Sequence, residues 1–164
     1  MSVRKIYLYP DPVLREVNED VVVFDDALKE LLDDMWETMY ASDGIGLAAP
    51  QIGVSKKIVV IDLDGEKYTL INPQIIEKSG EVTHEEGCLS FPGTYVKVDS
   101  PETMTVKYQN ELGEECVMHT EDFLTTVFSH EIDHLSGRLL IDRVSPLKRQ
   151  FMKKRIAKAA KEEQ

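Results

Sequence analysis

Apolar residues recur at helical spacing in two segments of the chain. The first segment follows Asp25, a residue type that caps helix N-termini, and stops near Gly44; its apolar positions are Leu28, Leu31, Leu32, Met35 and Met39. The second follows Thr120, another capping type, and stops at Gly137; one face of it carries Phe123, Thr126, Val127, His130 and His134. We predict two amphipathic helices, and the mixture of apolar and imidazole side chains on one face is typical of a central helix.

Short apolar runs bounded by turn residues fill the region between these helices. Asp64 and Gly65 form a hairpin signal between the buried-strand run 57–63 and its return 67–71. Other strands are predicted at 75–77, 94–98, 104–108, 116–118 and 139–144, and small-residue loops at 44–51 and 85–92. Strand-rich sequence between helices favours an α+β fold, with mixed or antiparallel sheets packed around the central helix.

Length and charge favour a single domain with a distinct C-terminal tail. The chain has 164 residues and a net charge of -11, and this length suffices for one well-packed core. Residues 147–164 carry seven basic and two acidic side chains, so the tail has a charge of +5 and the remainder -16. We expect a core over 1–146, followed from Pro146 by a basic helix over 147–164. Such a helix either meets an anionic partner, such as RNA, or is a solvated, salt-bridged surface.

The composition argues against secretion and membrane insertion. No apolar run approaches the length of a transmembrane helix, and the first residues do not have the pattern of a signal peptide. Only two cysteines occur, Cys88 and Cys116, and in a reducing compartment each is better explained as a core residue, a ligand or a nucleophile than as half of a disulfide. We therefore expect a cytoplasmic protein.

The second predicted helix contains the pattern H-E-x-x-H at 130–134. His130 and His134 are four residues apart and lie one turn apart on the same helix face, so both imidazoles can bind one divalent metal ion. Glu131 lies beside the first of them, where its carboxylate can accept a proton from a water molecule on the metal. The pattern predicts a metallohydrolase; the alternative is a pair of surface histidines on an ordinary helix.

A catalytic metal site of this kind needs a third protein ligand. The longer motif that supplies a third histidine fails here, because that position is Leu140. The remaining candidates are His84, His119, Cys88, Cys116, Glu162 and Glu163. Cys88 is favoured, because a thiolate is a strong ligand for zinc or iron and because its segment is loop-like, whereas Cys116 lies in a predicted strand. A cysteine-protease pair of Cys88 with His130 stays open, although it leaves the rest of the H-E-x-x-H motif unused.

Three motifs occur together in this chain: Gly-Ile-Gly-Leu-Ala-Ala-Pro-Gln at 44–51, Glu-Gly-Cys-Leu-Ser at 86–90 and His-Glu-Ile-Asp-His-Leu at 130–135. In this order and at these separations, they resemble the three signature motifs of the bacterial peptide deformylases. The resemblance covers nearly the whole chain, is closest to the compact type 1 branch, and implies that family's α+β fold with 1–146 as the catalytic core. It also implies a reaction: removal of the N-formyl group from the N-terminal formylmethionine of newly synthesised proteins, with release of formate.

The resemblance further implies roles for individual residues. A single metal ion, usually Fe²⁺ and alternatively Zn²⁺, Ni²⁺ or Co²⁺, is implied on three side chains: Cys88, His130 and His134. Glu131 is the implied base, and the Gln51 side-chain amide and the Leu89 backbone N–H are the implied donors to the formyl oxygen. The implied substrate-binding residues are Gly44, Ile45, Gly46, Phe123, Thr126 and Val127.

Four positions depart from the usual pattern of that family. Ser129 stands where relatives often carry Gln just before the first histidine, and we expect it to alter packing or hydrogen bonding around the ligand without changing ligation. His84 stands where relatives carry an apolar pocket residue, and Tyr95 stands where some carry an arginine that contacts the peptide. Thr126 predicts a pocket wall that is more polar than isoleucine or leucine would make it. We expect these departures to change the rate or the side-chain preference of the reaction and to leave activity itself intact.

Two other functions stay open at this point: a metallohydrolase that acts on another N-acyl amide, and a binding protein that keeps the fold without turnover. Intact Cys88, Glu131 and Gln51 argue against the binding protein, which does not need a base. The expected partners are formylmethionyl peptides and, through the basic tail, the ribosome, whose surface is largely RNA. Neither a membrane nor DNA is an expected partner.

Overall fold

Three α-helices and seven strands lie within the part of the chain described by the structure, a computed structural model of the backbone of 2–162 and the side chains of 2–91 and 94–158. The helices are Asp26–Ala41 (α1), Asp122–His134 (α2) and Pro146–Glu162 (α3). The strands are Gly46–Ala48 (β1), Ile58–Leu63 (β2), Glu66–Ser79 (β3), Val82–Cys88 (β4), Phe91–Ser100 (β5), Thr103–Gln109 (β6) and Glu115–Glu121 (β7). Short 3-10 helices occupy Pro12–Arg15, Ala49–Ile52 and Leu140–Arg143. The predicted α+β class is confirmed.

The seven strands form two antiparallel sheets. One sheet has five strands in the order β1-β2-β3-β6-β7, and the other is the hairpin of β4 and β5. Asp64 and Gly65 make the two-residue turn between β2 and β3, and both have positive φ, 52° and 88°. This geometry suits the right-handed twist of the flanking strands, and it confirms the hairpin predicted from the Asp-Gly pair.

Strand β2 is buried on both faces, which explains its continuous apolar sequence. Ile58 and Val60 belong to a core that includes the apolar stripe of α1, whereas Val59 and Ile61 belong to a core that includes Val127 of α2. Successive side chains of a strand point to opposite faces, so four consecutive apolar residues join two cores. The five-stranded sheet is therefore covered by α1 on one face and by α2 on the other.

The segment 139–144 is not a strand, so that prediction was wrong; it forms the 3-10 helix Leu140–Arg143. Asp142 closes this turn, because its carboxylate accepts a hydrogen bond from the Leu139 N–H at 2.9 Å. Two nitrogens of Arg15 donate to the same carboxylate at 2.6 and 3.0 Å. A short apolar run is equally compatible with a strand and with a buried helical turn, and here the capping carboxylate decides.

Other element boundaries also differ from the predictions. The two segments predicted as loops contain β1, a 3-10 helix and most of β4, and the two strands predicted at 67–71 and 75–77 are one bent strand, β3. The N-cap of α2 is Glu121 and not Thr120, whose hydroxyl lies within hydrogen-bond distance of Thr125 at 2.8 Å. Helix α2 ends at His134, and Gly137 (φ 75°) belongs to the turn that follows.

Helix α3 begins at Pro146, as predicted, and packs against the 3-10 helix before it. Met152 is buried in the third core, and the Arg149 Nε donates to the Ile141 carbonyl oxygen at 3.2 Å. Most of its basic side chains are exposed. Residues 163 and 164 of the predicted tail, including the ligand candidate Glu163, lie outside the described residues. Within 2–162, no helix combines the length and the apolar composition that crossing a bilayer requires.

Candidate active site

The three predicted metal ligands come together at one end of α2. The ligand atoms of Cys88, His130 and His134 all lie within 4.8 Å of one another. The Nε2 of His134 lies 3.2 Å from the Nε2 of His130 and 3.4 Å from the Cys88 Sγ. A sulfur and two imidazole nitrogens around one point form a donor set that suits a divalent ion such as zinc or iron, so these residues fit the implied metal.

Local structure explains how Cys88 reaches this point from a distant part of the sequence. Cys88 is the last residue of β4, and the pairing register with β5 shifts between Gly87 and Cys88. Such an irregularity turns the following side chain away from the regular alternation of the strand. The β4–β5 hairpin also contacts α2 directly, and it thereby brings the thiol to the two imidazoles one helical turn apart.

The other ring nitrogen of His130 contacts a buried carboxylate. His130 Nδ1 lies 3.0 Å from the Glu86 Oε1, and the Arg143 Nη1 donates to the same oxygen at 3.1 Å. A histidine that binds a metal through one nitrogen usually donates the other N–H to such an acceptor. Sequence reasoning missed Glu86 and Arg143, although Glu86 opens the second motif; an acidic residue next to a candidate ligand was the available signal.

Burial and neighbouring charges make the two histidines differ. Burial lowers the pKa of His134 well below its ordinary value, and the positive charges of His130 and Arg143 lower it further. Burial also lowers the pKa of His130, but hydrogen bonds to Cys88 and Glu86 outweigh that effect and raise it well above the ordinary value. A neutral imidazole keeps one ring-nitrogen lone pair, which a metal ligand needs.

Glu131 is buried beside the same cluster. Its Oε1 lies 3.8 Å from the His130 Nε2, and its Oε2 has no hydrogen-bond partner in the described part of the chain. Burial raises the pKa of Glu131 to about 7; the positive charge of His130 opposes this rise, and the nearby Glu86 carboxylate adds to it. A Cβ at Gly46 would lie 2.9 Å from both the Cγ and the Oε1 of Glu131, so this glycine makes room for the carboxylate.

Gln51 both supports the loop and faces the cluster. Its Oε1 accepts a hydrogen bond from the Ala48 N–H at 2.9 Å, which fixes the orientation of the amide. Its Nε2 donates to the Ser90 Oγ at 3.2 Å and lies 3.5 Å from the Cys88 Sγ. The loop-supporting role of this amide and its position beside the candidate ligands are therefore compatible.

Two cavities adjoin the cluster. A cleft of about 550 Å³ is lined by residues that include Gly44, Ile45, Gly46, Cys88, Leu89, Tyr95 and Glu131. A smaller cavity of about 80 Å³ is lined by Ile45, Glu85, Glu86, Gly87, Phe123, Thr126, Val127, His130 and Glu131. Because the two share Glu131, Ile45 and Gly87, they meet at the candidate base, and between them they include all six residues predicted to bind substrate.

Two of the residues that depart from the family pattern, His84 and Thr126, have neighbours that the sequence did not predict. His84 is not among the residues that line the small cavity; its ring packs nearly perpendicular to that of Phe123, with ring centroids 5.4 Å apart. The hydroxyl of Thr126 lies 2.9 Å from the Ser100 Oγ, and both residues are buried. The Thr126 hydroxyl thus has a side-chain partner that lines a separate cavity, and the more polar pocket wall stays a prediction. Tyr95 is exposed at the cleft and packs over Gly87.

Comparisons with known proteins agree on one family. The family model described as polypeptide deformylase matches residues 3–150. The chain is 50% identical over 163 residues to a peptide deformylase of Acidobacterium capsulatum, covering 96% of each chain, and 47% identical over 164 residues to that of Pseudoalteromonas translucida, covering 98% of each.

Solved structures give the same answer. A peptide deformylase from Legionella pneumophila superposes with a TM-score of 0.93 at 42% identity, covering 98% of this chain and 97% of that one. The Ehrlichia chaffeensis peptide deformylase in complex with actinonin superposes with a TM-score of 0.91 at 38% identity, covering 97% and 98%. The chain therefore belongs to the polypeptide deformylase family, the hydrolases that remove the N-formyl group from newly synthesised proteins.

Proposed function

We propose that this chain deformylates N-terminal formylmethionine at the junction of the two cavities, with Cys88, His130 and His134 holding one divalent metal ion. The observation that supports this most directly is the convergence of the three ligand atoms beside the buried Glu131 carboxylate. When bound, the ion would polarise the formyl oxygen and lower the pKa of a water molecule. Fe²⁺ is the proposed physiological ion, and Zn²⁺, Ni²⁺ and Co²⁺ suit the same thiolate and imidazole donors.

Glu131 is the proposed acid–base residue. Its carboxylate accepts a proton from the attacking water, whose oxygen bonds to the formyl carbon, and then passes the proton to the nitrogen as the C–N bond breaks. Formate and a free amino terminus are the products. A carboxyl group with a pKa of about 7 suits both transfers, because it exchanges protons readily near neutral pH.

The Gln51 amide and the Leu89 backbone N–H are the proposed donors to the oxygen that gains negative charge. The Ala48 N–H donates to the Gln51 Oε1, so the NH₂ end of the side-chain amide is directed toward Cys88. A donor that is already oriented does not need to reorganise during the reaction, and one such group contributes about 3 kcal/mol to lowering the barrier. Leu89 lines the cleft immediately after Cys88 in the sequence.

The two cavities suggest how the substrate binds. We propose that the methionine side chain enters the small cavity, whose wall includes Ile45, Phe123, Thr126 and Val127. The following peptide would run along the open cleft past Gly44 and Gly46, adding as a strand beside β1. An unbranched apolar side chain suits the apolar wall of this small cavity better than a branched or charged one.

We propose that α3 is the contact with the ribosome, and that the protein works in the cytoplasm. Lys153, Lys154 and Lys158 are exposed on this helix, while Met152 anchors it to the third core. A row of exposed cations on an acidic protein favours association with an RNA surface.

The decisive experiment measures formate release from formyl-Met-Ala-Ser by anaerobically prepared, iron-loaded protein, with and without a chelator. Glu131→Ala is compared with Glu121→Ala, an exposed acidic residue at the start of the same helix whose side chain does not cap it. We expect chelator-sensitive release that disappears only in Glu131→Ala. Bound metal without release would favour the binding-protein alternative, and release of acetate from acetyl-Met-Ala-Ser at a similar rate would favour a broader N-acyl hydrolase.

A further inference from the structure

We infer that Ser100 determines substrate specificity by holding the Thr126 hydroxyl away from the small cavity. The inference deepens the proposed function, and it rests on the proposal that this cavity takes the methionine side chain. Ser100 is the last residue of β5, and Thr126 lies one helical turn before His130 on α2. Ser100 is therefore a positioning residue that acts through Thr126 and need not touch the substrate.

The geometry of the pair supports this role. The two hydroxyl oxygens are 2.9 Å apart, and the residues are 4% and 1% exposed. Thr126 lines the small cavity, but Ser100 lines a separate cavity that also includes Ser129 and Asp133 of α2. A hydroxyl that binds Ser100 is thus directed out of the small cavity, and the threonine methyl group is the branch that remains for its wall.

Removing Ser100 changes what the cavity presents to a ligand. A buried hydroxyl without a hydrogen-bond partner destabilises the protein. Without the Ser100 hydroxyl, Thr126 would therefore bind more favourably to any substrate group that can accept its hydrogen bond. With Ser100 present, that hydroxyl is already paired, and the cavity selects an apolar side chain. The side-chain preference of the pocket that Thr126 lines therefore depends on Ser100, a residue of strand β5.

A second hydroxyl pair, between Thr125 of the same helix and Thr120 of β7, is a matched control. The Thr125 hydroxyl lies 2.8 Å from the Thr120 hydroxyl, and both residues are buried. Neither residue lines the cleft or the small cavity. Thr120→Ala therefore leaves a buried threonine hydroxyl of α2 without its side-chain partner, as Ser100→Ala does, but at a distance from the substrate.

The test compares formyl-Met-Ala-Ser with the same peptide carrying methionine sulfoxide, whose polar oxygen accepts hydrogen bonds. The readout is the ratio of kcat/KM for the two peptides in wild type, Ser100→Ala, Thr126→Val, Ser100→Ala with Thr126→Val, and Thr120→Ala. We expect Ser100→Ala to lower the preference for methionine about tenfold. The double variant restores the wild-type ratio, because no hydroxyl remains at position 126, and Thr120→Ala leaves the ratio unchanged.

An unchanged ratio in folded Ser100→Ala, or an equal fall in Thr120→Ala, would overturn the inference. If Ser100→Ala does not fold, Thr126→Val decides alone: the ratio for the two peptides should stay near the wild-type value. A rise in the preference for methionine would contradict the assigned role, because it would mean that the wild-type hydroxyl already binds the sulfoxide. Failure of the proposed function is separately visible, because wild type would then release no formate from either peptide.

Discussion

Arg143 and Glu86 form a buried ion pair directly behind a candidate metal ligand. The Arg143 Nη1 lies 3.1 Å from the Glu86 Oε1, and the two side chains are 4% and 6% exposed. The same oxygen lies 3.0 Å from the His130 Nδ1. The strand β4 and the 3-10 helix Leu140–Arg143 thus meet at the imidazole that α2 supplies, and this contact holds its ring plane and tautomer.

We predict that replacing either partner of this pair weakens metal binding without touching the metal ligands. Glu86→Gln should lower metal affinity 10- to 100-fold, because the neutral amide is a weaker acceptor for the His130 N–H. Arg143→Met should in addition lower the free energy of unfolding by about 3 kcal/mol, because it leaves the buried Glu86 carboxylate without its guanidinium partner. Chelator competition and urea unfolding measure the two effects. Arg138→Met, at an exposed arginine shortly before that 3-10 helix, is the control, and equal losses there would contradict the positioning role.

We predict that Gly46→Ala lowers kcat about 100-fold while the protein remains folded. The added Cβ would approach the Glu131 carboxylate within 2.9 Å, so the base must move from its position. Gly44→Ala is the comparison, because its Cβ would meet the end of the flexible Leu89 side chain at 2.7 Å. Steady-state formate release and the melting temperature separate the effects. Similar kcat losses in both variants would show that the displacement of Glu131 is not the cause.

Metal removal should lower stability as well as activity. An ion that binds only the folded protein stabilises it by about 2.7 kcal/mol when its free concentration is 100 times Kd. We therefore expect a chelator to lower the melting temperature of the wild type and to have little effect on Cys88→Ser. Cys116→Ser, at a cysteine on the outer strand β7, should respond like the wild type. A chelator effect that persists undiminished in Cys88→Ser would exclude that thiol as a ligand.

The pair of Arg15 and Asp142 should make a small pH-dependent contribution to stability. Burial raises the pKa of Asp142, but the hydrogen bonds from Arg15 and the Leu139 N–H outweigh it and leave the pKa below its ordinary value. A carboxyl group whose pKa is lower in the folded state stabilises the protein above its unfolded pKa, and this contribution is lost as pH falls through the folded pKa.

Asp142→Asn should therefore lower the free energy of unfolding at pH 7 by about 1 kcal/mol or less, since Arg15 is 45% exposed and solvent screens the pair. The difference between the two proteins should shrink as the pH falls below about 4. Urea unfolding at several pH values measures it, and both proteins carry the same metal site, whose own titration cancels in the difference. A difference that does not change with pH would contradict the ionic role of Asp142.

Charge reversal on α3 should weaken binding to ribosomes. We expect the triple variant Lys153→Glu, Lys154→Glu and Lys158→Glu to co-sediment less with ribosomes, with a shallower dependence on salt, and to keep its activity on free peptides. Three exposed lysines elsewhere make an equal charge change for control: Lys29, Lys78 and Lys97. Unchanged co-sedimentation of the α3 variant, or equal loss in the control, would contradict the proposed contact.

Local sequence signals predicted those parts of the structure whose determinants lie close together along the chain. The apolar stripe after Asp25 predicted α1, the Asp64-Gly65 pair predicted the β2–β3 hairpin, and the spacing of His130 and His134 set both imidazoles on one helical face. In each case hydrogen bonds or side-chain spacing within a few residues decide the geometry. The family resemblance was likewise carried by three short motifs, and the family comparisons confirmed it.

Only the tertiary structure decided contacts between distant segments. Cys88 and His134 are 46 positions apart in the sequence. The packing of the β4–β5 hairpin on α2 brings them together, and no local sequence signal predicted that contact. The apolar run at 139–144 became a 3-10 helix because Arg15, 127 residues before Asp142, binds its capping carboxylate. The hydrogen-bond partners of Glu86 and Thr126 could not be predicted from the sequence either. Buried polar groups pair with the polar groups that the fold places next to them, whereas sequence periodicity describes only one helix or strand at a time.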